Sequence, residues 1–309
     1  KYFVLIRELL KDSQSEIPDF INETIFYLGR SYNFFWQRTK ESFLFNGNIE
    51  LDNSEFDKYL NSHGYKFKCQ ANEMGNYGFI CNKKNSLIID LGKSPDKKFS
   101  ANYQAGALSF EFSHMSEKIV CNSGYYQSVR HQLNRISKSS AAHSTLIINN
   151  SSIVNFQKGK FGKRYVEKGF KIFERKILNG KNKWFFSASH DGYLKKFGII
   201  HKRNLTFYPE KQILEGSDLL FFRKPSKNKI FEIRFHLHPS VKVTKTIEGK
   251  SILIEAESSG WKFLSDNTID VETGLYFGKK NSFVENQNIF VTGELQNTEQ
   301  TINWTIEKI

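Results

Sequence analysis

Gln104-Ala-Gly-Ala-Leu-Ser-Phe-Glu-Phe-Ser113 is followed by Ile119-Val-Cys-Asn-Ser-Gly124 and then by Ser139-Ser-Ala-Ala-His-Ser-Thr145. In the first segment Leu108, Phe110 and Phe112 alternate with Ser109, Glu111 and Ser113, the period of a half-buried strand. Ile119-Val-Cys121 is a short apolar run ended by the turn cluster Asn122-Ser-Gly124. The third segment sets one imidazole, His143, among small residues ahead of Thr145-Leu-Ile-Ile148, leaving room for another group to approach the ring. These segments predict two short strands and a histidine-bearing loop leading into a third.

The same period of two runs through the chain from about Tyr65. Strand candidates include Tyr65–Gln70, Tyr77–Asn82, Ser86–Leu91, Lys171–Ile177, Lys183–Ser189, Phe197–Leu205, Ser251–Glu257, Gly260–Leu264 and Thr301–Glu307. The clearest is Phe231-Glu-Ile-Arg-Phe-His-Leu-His238, where every second residue is apolar. Many short strands divided by Gly, Asn and Lys turns predict a mainly β protein built as a large antiparallel sandwich. Residues 1 to about 38 read differently. Ile21, Ile25, Leu28, Tyr32 and Phe35 recur at helical spacing, and Pro18 with Asp19 suits a first turn. The helical stripe must dock on something, either the later β-region or helices outside this chain. The acidic residues 48–62 read as a linker, giving a helical part over 1–62 and a β-domain over 63–309.

With 309 residues the chain can bury a substantial core, and 39% hydrophobic with 25% charged residues is a globular composition. No apolar run reaches the roughly 20 residues of a membrane span. Lys1 sits directly inside an apolar helical pattern, so the chain is read as part of a longer product and its terminus says nothing of localisation. The net charge of +13 points to a polyanion: acidic polysaccharide, acidic lipid or nucleic acid. Biased composition explains scattered lysines equally well, and no nucleic-acid motif accompanies them. Cys69, Cys81 and Cys121 lack metal-type spacing and are expected as buried thiols.

The trio of segments, in this order, resembles the C-terminal β-domain of heparinase II/III-like polysaccharide lyases. Supporting matches in shared order are Gly75-Asn-Tyr-Gly78, Asp90-Leu-Gly92, Ser189-His-Asp-Gly-Tyr193, Gly198-Ile-Ile-His-Lys-Arg203, Ile233–Pro239 and Gly260-Trp-Lys-Phe263. The resemblance implies a supersandwich preceded by the last helices of an (α/α) toroid. It implies β-elimination on an acidic, uronate-containing polysaccharide, possibly sulfated, as the glycosaminoglycans are. Tyr and His serve as base and acid in a cleft between toroid and sandwich. It also implies a periplasmic or cell-envelope location. The family's divalent metal, zinc or calcium, would fall at positions that here carry Gln104, Asn122 and His143. Amides are poor zinc ligands, so no cofactor is expected and a hydrogen-bonded cluster takes the metal's place. Gly106 stands where the family commonly has Asp.

Candidate site residues follow from both readings. His143, Tyr193 and His190 are candidate catalytic groups, the last two in a polar Asp-Gly turn that a plain hairpin would also explain. Arg203 and His201 share a strand face and could clamp a substrate carboxylate, or simply face solvent. Gln104 and Asn122 join them as candidate substrate-binding residues. His236 and His238 are expected on a polar outer face. A non-catalytic carbohydrate-binding sandwich and a structural protein of envelope glycans are the alternatives to the lyase.

Overall fold

The computed structural model describes residues 1–309 except 225–228 and 297–298. Strand Ile230–Leu237 shows how the sandwich is made. Its alternation sends Phe231, Ile233, Phe235 and Leu237 inward, all fully buried, and leaves Glu232 and Arg234 on the other side. The inward rings meet a facing sheet. Phe235 lies 4.7 Å edge-on from Trp304, and Phe110 stacks on the same indole at 5.5 Å. Burying each such aromatic stabilises by roughly 1.5–3 kcal/mol, which makes this layer the principal core.

Two large antiparallel sheets and a small hairpin result. The first sheet runs in the order Glu73–Met74, Tyr77–Cys81, Asn85–Asp90, Phe110–His114, Glu117–Cys121, Ile230–Leu237, Val284–Glu294 and Thr268–Tyr276. Leu146–Ile148 also pairs with Ile230–Leu237. The second runs Lys242–Lys245, Ser251–Glu255, Gly260–Ser265, Gln300–Lys308, Ile213–Phe222, Ile199–Tyr208, Trp184–His190 and Ile172–Asn179. In the second sheet, Gly216 lies under Trp304. A Cβ there would come within 2.0 Å of the indole, so only glycine lets the ring lie flat on the strand.

The helical part packs on the outer face of the first sheet. Helix Asp19–Tyr32 begins after Pro18 (φ −61°) and passes into a π-helical turn, Asn33–Gln37. Phe34 from that turn meets Phe79 at 5.4 Å, and Phe43, Phe45 and Ile88 complete a second apolar cluster. The predicted stripe is right at Ile21 and Ile25, which are buried, whereas Leu28 remains exposed.

Three expectations are corrected. Residues 54–62 form a helix rather than a linker, and its Asp57 accepts hydrogen bonds from Tyr32, Trp36 and Gln37. Tyr65–Gln70 makes no strand, because the Asn33 amide bonds to Phe67 O and Cys69 N where a ladder would otherwise run. Phe110–His114 is buried on both faces, since helices and loops cover the side that the sequence reading gave to solvent. The sandwich itself is as expected, and the three cysteines are free thiols, Cys69 and Cys121 buried and Cys81 partly so.

Candidate functional site

Arg203 and His201 do share a strand face, but that face points between the sheets. On Ile199–Tyr208 every odd-numbered residue is buried, and both side chains are wholly inaccessible. The carboxylate that Arg203 clamps is the protein's own Asp218. Arg203 Nε donates to Asp218 Oδ1 at 2.8 Å and Nη2 to Oδ2 at 3.1 Å, a bidentate pair. Arg203 Nη1 donates to the carbonyls of Leu108 and Ser144 at 3.0 and 2.7 Å. That tie fastens the two loops beside His143 to the second sheet.

Asp218 also accepts from Trp304 Nε1 at 3.0 Å and from His201 Nε2 at 2.6 Å. His201 Nδ1 in turn lies 3.0 Å from His190 Nε2, and His190 Nδ1 accepts from Gly192 N at 3.1 Å. The donors fix the tautomers: His190 carries its proton on Nε2 and gives it to His201, which carries its own on Nε2. Burial, reinforced by neighbouring positive charge, keeps His190 neutral, and burial outweighs Asp218 in lowering His201. Burial alone would raise Asp218, but Arg203 and His201 hold it well below the usual carboxylate range. This chain of bonds is a closed, satisfied network with no open valence for a ligand.

Tyr193 is sealed as well. The Asp191-Gly192 turn leads into a short helix, Leu194–Phe197, and Tyr193 at its start is buried in the main core. Its hydroxyl lies 3.0 Å from the Leu146 carbonyl and 3.2 Å from that of Ser151, and burial drives its pKa far above the ordinary phenol value. The predicted pairing of His190 with Tyr193 is real, with rings 5.6 Å apart, yet both serve the core.

The hydrogen-bonded cluster expected of Gln104, Asn122 and His143 does not form, because each side chain bonds to neighbouring groups instead. Gln104 Nε2 donates to the Gly124 and Ser137 carbonyls at 2.9 and 2.6 Å, while Oε1 accepts from Gly47 N at 3.0 Å. Asn122 Oδ1 accepts from Ser144 N at 3.0 Å, and its Nδ2 donates to Glu111 Oε1 at 3.2 Å. His143 Nδ1 donates to the Ser139 carbonyl at 2.8 Å, which leaves Nε2 as a bare acceptor with no partner. That ring is 1% exposed, and burial lowers its pKa to about 4. It rests on Gly106, where a Cβ would come within 2.5 Å of Cδ2. The three residues thus tie neighbouring loops together through backbone groups rather than through one another.

The donor set here does not fit the divalent ion of the family. Both amide oxygens are already committed to backbone N–H groups, and a single imidazole nitrogen remains. Among the described residues no group of three His, Cys, Asp or Glu is placed to hold a metal.

His236 is also buried rather than on a polar outer face. Its Nε2 donates to Ala141 O at 2.9 Å and its Nδ1 lies 3.0 Å from Ser123 Oγ, pinning the His143 loop from below. His238 is partly exposed and bonds Glu50, which also accepts from Tyr276. Sequence reading missed Asp218 and Glu111. Each is a carboxylate on a strand, fully inside, where a half-buried pattern has no place for charge.

Comparison with known proteins adds the family. A heparan sulfate lyase, HepC from Pedobacter heparinus, superposes with a TM-score of 0.75 at 12% identity, covering 99% of this chain and 51% of that one. The crystal structure of a heparinase III gives 0.74 at 14% identity, covering 99% and 52%. FtsZ-localized protein C of Caulobacter vibrioides (strain NA1000 / CB15N) is 25% identical over 198 residues, 60% of this chain and 34% of that protein. The chain therefore spans about half the length of the solved structures it matches and about a third of that curated relative. No helix is long and apolar enough to cross a membrane among the described residues. The family model described as heparinase II/III-like, C-terminal, matches residues 68–305, and the chain belongs to that family.

Proposed function

We propose that this chain is the β-domain of a protein that acts on an acidic, uronate-containing polysaccharide by β-elimination. The observation that carries the reading is the family match across residues 68–305, joined to a turn after the helices whose Gly47 N–H bonds Gln104. In β-elimination a base takes the proton next to the uronate carboxylate, charge spreads onto that carboxylate, and the glycosidic oxygen leaves. Neutralising the developing charge is the larger requirement, and a net charge of +13 suits a domain that holds such a polymer. With His143, His190 and Tyr193 enclosed, the base and acid are to be supplied by other groups, including those of the helical region beyond this chain. The β-domain then contributes binding and the rigid wall of the cleft. A cell-envelope location accompanies this reading.

The test is to incubate the full-length protein with a panel of uronate polymers and follow ultraviolet absorbance from unsaturated chain ends. Absorbance that grows with time on at least one polymer supports the lyase. Binding without any such signal refutes it and leaves a second reading, a non-catalytic glycan-binding sandwich. The enclosed imidazoles favour that second reading. The Caulobacter relative is named as FtsZ-localized, and a fluorescent fusion imaged together with FtsZ would test whether this protein localises in the same way.

A further inference from the structure

Beside the Gln104 loop, at the end of strand Asn85–Asp90, a pocket of about 230 Å³ is lined by the Asn46 turn, the Gly75–Tyr77 turn and the loop through Asn102 and Tyr103. That is room for one sugar ring rather than a polymer. Asp90 lies in its wall, 3% exposed, with Oδ1 accepting from Gly92 N at 2.8 Å. Among the described residues no lysine, arginine or histidine pairs with this carboxyl. Arg175, the guanidinium that acts on it from a distance, is paired with Glu73. Burial accordingly pushes Asp90 up to about 7.

Two further features separate this pocket from an ordinary capped turn. The Tyr103 hydroxyl, buried in the same wall, has no hydrogen-bond partner. A phenol left unsatisfied near a buried carboxyl that no cation neutralises is a cost that a hydroxyl-bearing ligand would remove. At the mouth stands Phe99, 70% exposed, with Lys93 on the same rim. An exposed aromatic face above amides and a carboxyl suits a pyranose, whose C–H face is apolar and whose edge is a row of hydroxyls. Asn102 lines the pocket, while Asn46, committed to the Tyr77 hydroxyl, the Gln104 backbone and Asp90, holds its wall in place.

We propose that this pocket is a subsite for a single glycan residue, with Asp90 and Tyr103 bonding its hydroxyls, Phe99 stacking on its ring and Lys93 meeting its carboxylate. The assignment rests on the acidic-polysaccharide reading above and adds to it a place on the β-domain where the polymer is read one ring at a time. Asp90 acts as a hydrogen-bonding group here, with no proton-transfer role assigned.

The experiment is isothermal titration of the full-length protein with a tetrasaccharide of alternating glucuronate and N-acetylglucosamine. Asp90→Asn keeps the acceptor for Gly92 N and should raise the Kd about tenfold or more. Phe99→Ala, at an exposed position that cannot unsettle the core, should raise it about fivefold with an unchanged Tm. Wild-type affinity in both variants would overturn the subsite while leaving the glycan reading intact. Failure of the wild-type protein to bind this tetrasaccharide would overturn the subsite as a uronate-glycan site. If no uronate polymer in the panel bound either, the glycan reading would fall with it.

Discussion

Replacing Asp218 with Asn is the sharpest probe of the buried network, because it changes one atom and no volume. Asp218 accepts four hydrogen bonds, two from Arg203 and one each from His201 and Trp304, at 2.6 to 3.1 Å. An Asn side chain offers one oxygen and an NH2 group that is itself a donor, so two of the four donors lose their acceptor. The Arg203 guanidinium, wholly buried, would keep its charge and lose its counter-ion. Breaking a buried pair in this way costs about 3–5 kcal/mol, a large part of the roughly 5–15 kcal/mol that holds a domain together. Urea unfolding followed by tryptophan fluorescence would measure it. The double variant Arg203→Met, Asp218→Leu removes the orphaned charge and should recover part of the loss. The remainder would come from the Leu108 and Ser144 carbonyls left without Arg203 and from the His201 and Trp304 N–H groups left without Asp218. A single-variant loss below about 1 kcal/mol would refute the claim that this closed network fastens the loops beside His143 to the second sheet.

Three further outcomes are expected. Burial raises Asp90 from 3.8 to about 7, so its contribution to stability is fully present below pH 3.8 and is lost as pH rises through 7. Wild-type protein should therefore lose up to about 4 kcal/mol relative to Asp90→Asn between pH 4 and 8, and parallel stability curves would contradict this. Gly106→Ala should cost about 1–3 kcal/mol by pressing a methyl group onto His143, and much less when combined with His143→Ala. Equal costs in both backgrounds would show that the ring is not what excludes the methyl. Chelation should leave Tm unchanged to within about 1 °C, whereas a structural metal would make it fall by many degrees.

The sandwich was legible because strands such as Phe231–Leu237 carry their fold in plain alternation. The three short segments marked Gln104, Asn122 and His143 as buried polar groups of neighbouring loops, but not the partners of each, which are backbone groups and Glu111. Direction was not legible. Glu111 and Ser113 read as solvent-facing because alternation reports only that two faces differ, and here loops and helices cover the second face. Strand Ile213–Phe222 escaped notice for a related reason. Its inward positions are Leu214, Gly216, Asp218 and Leu220, with glycine admitting the Trp304 ring and Asp answering Arg203. Both break the apolar rhythm on which sequence reading depends. Without that strand the sequence offers Arg203 no internal partner, and a ligand carboxylate or solvent is the expectation.

The strand Gln300–Lys308 lies in the interior of the second sheet, between Gly260–Ser265 and Ile213–Phe222, although it comes last in the chain. During synthesis the two halves of that sheet must wait, side by side and unjoined, until these residues emerge from the ribosome. A nascent chain stalled before residue 300 would present two raw strand edges and an empty slot where Trp304 belongs, a state that invites chaperone capture or pairing with a neighbour.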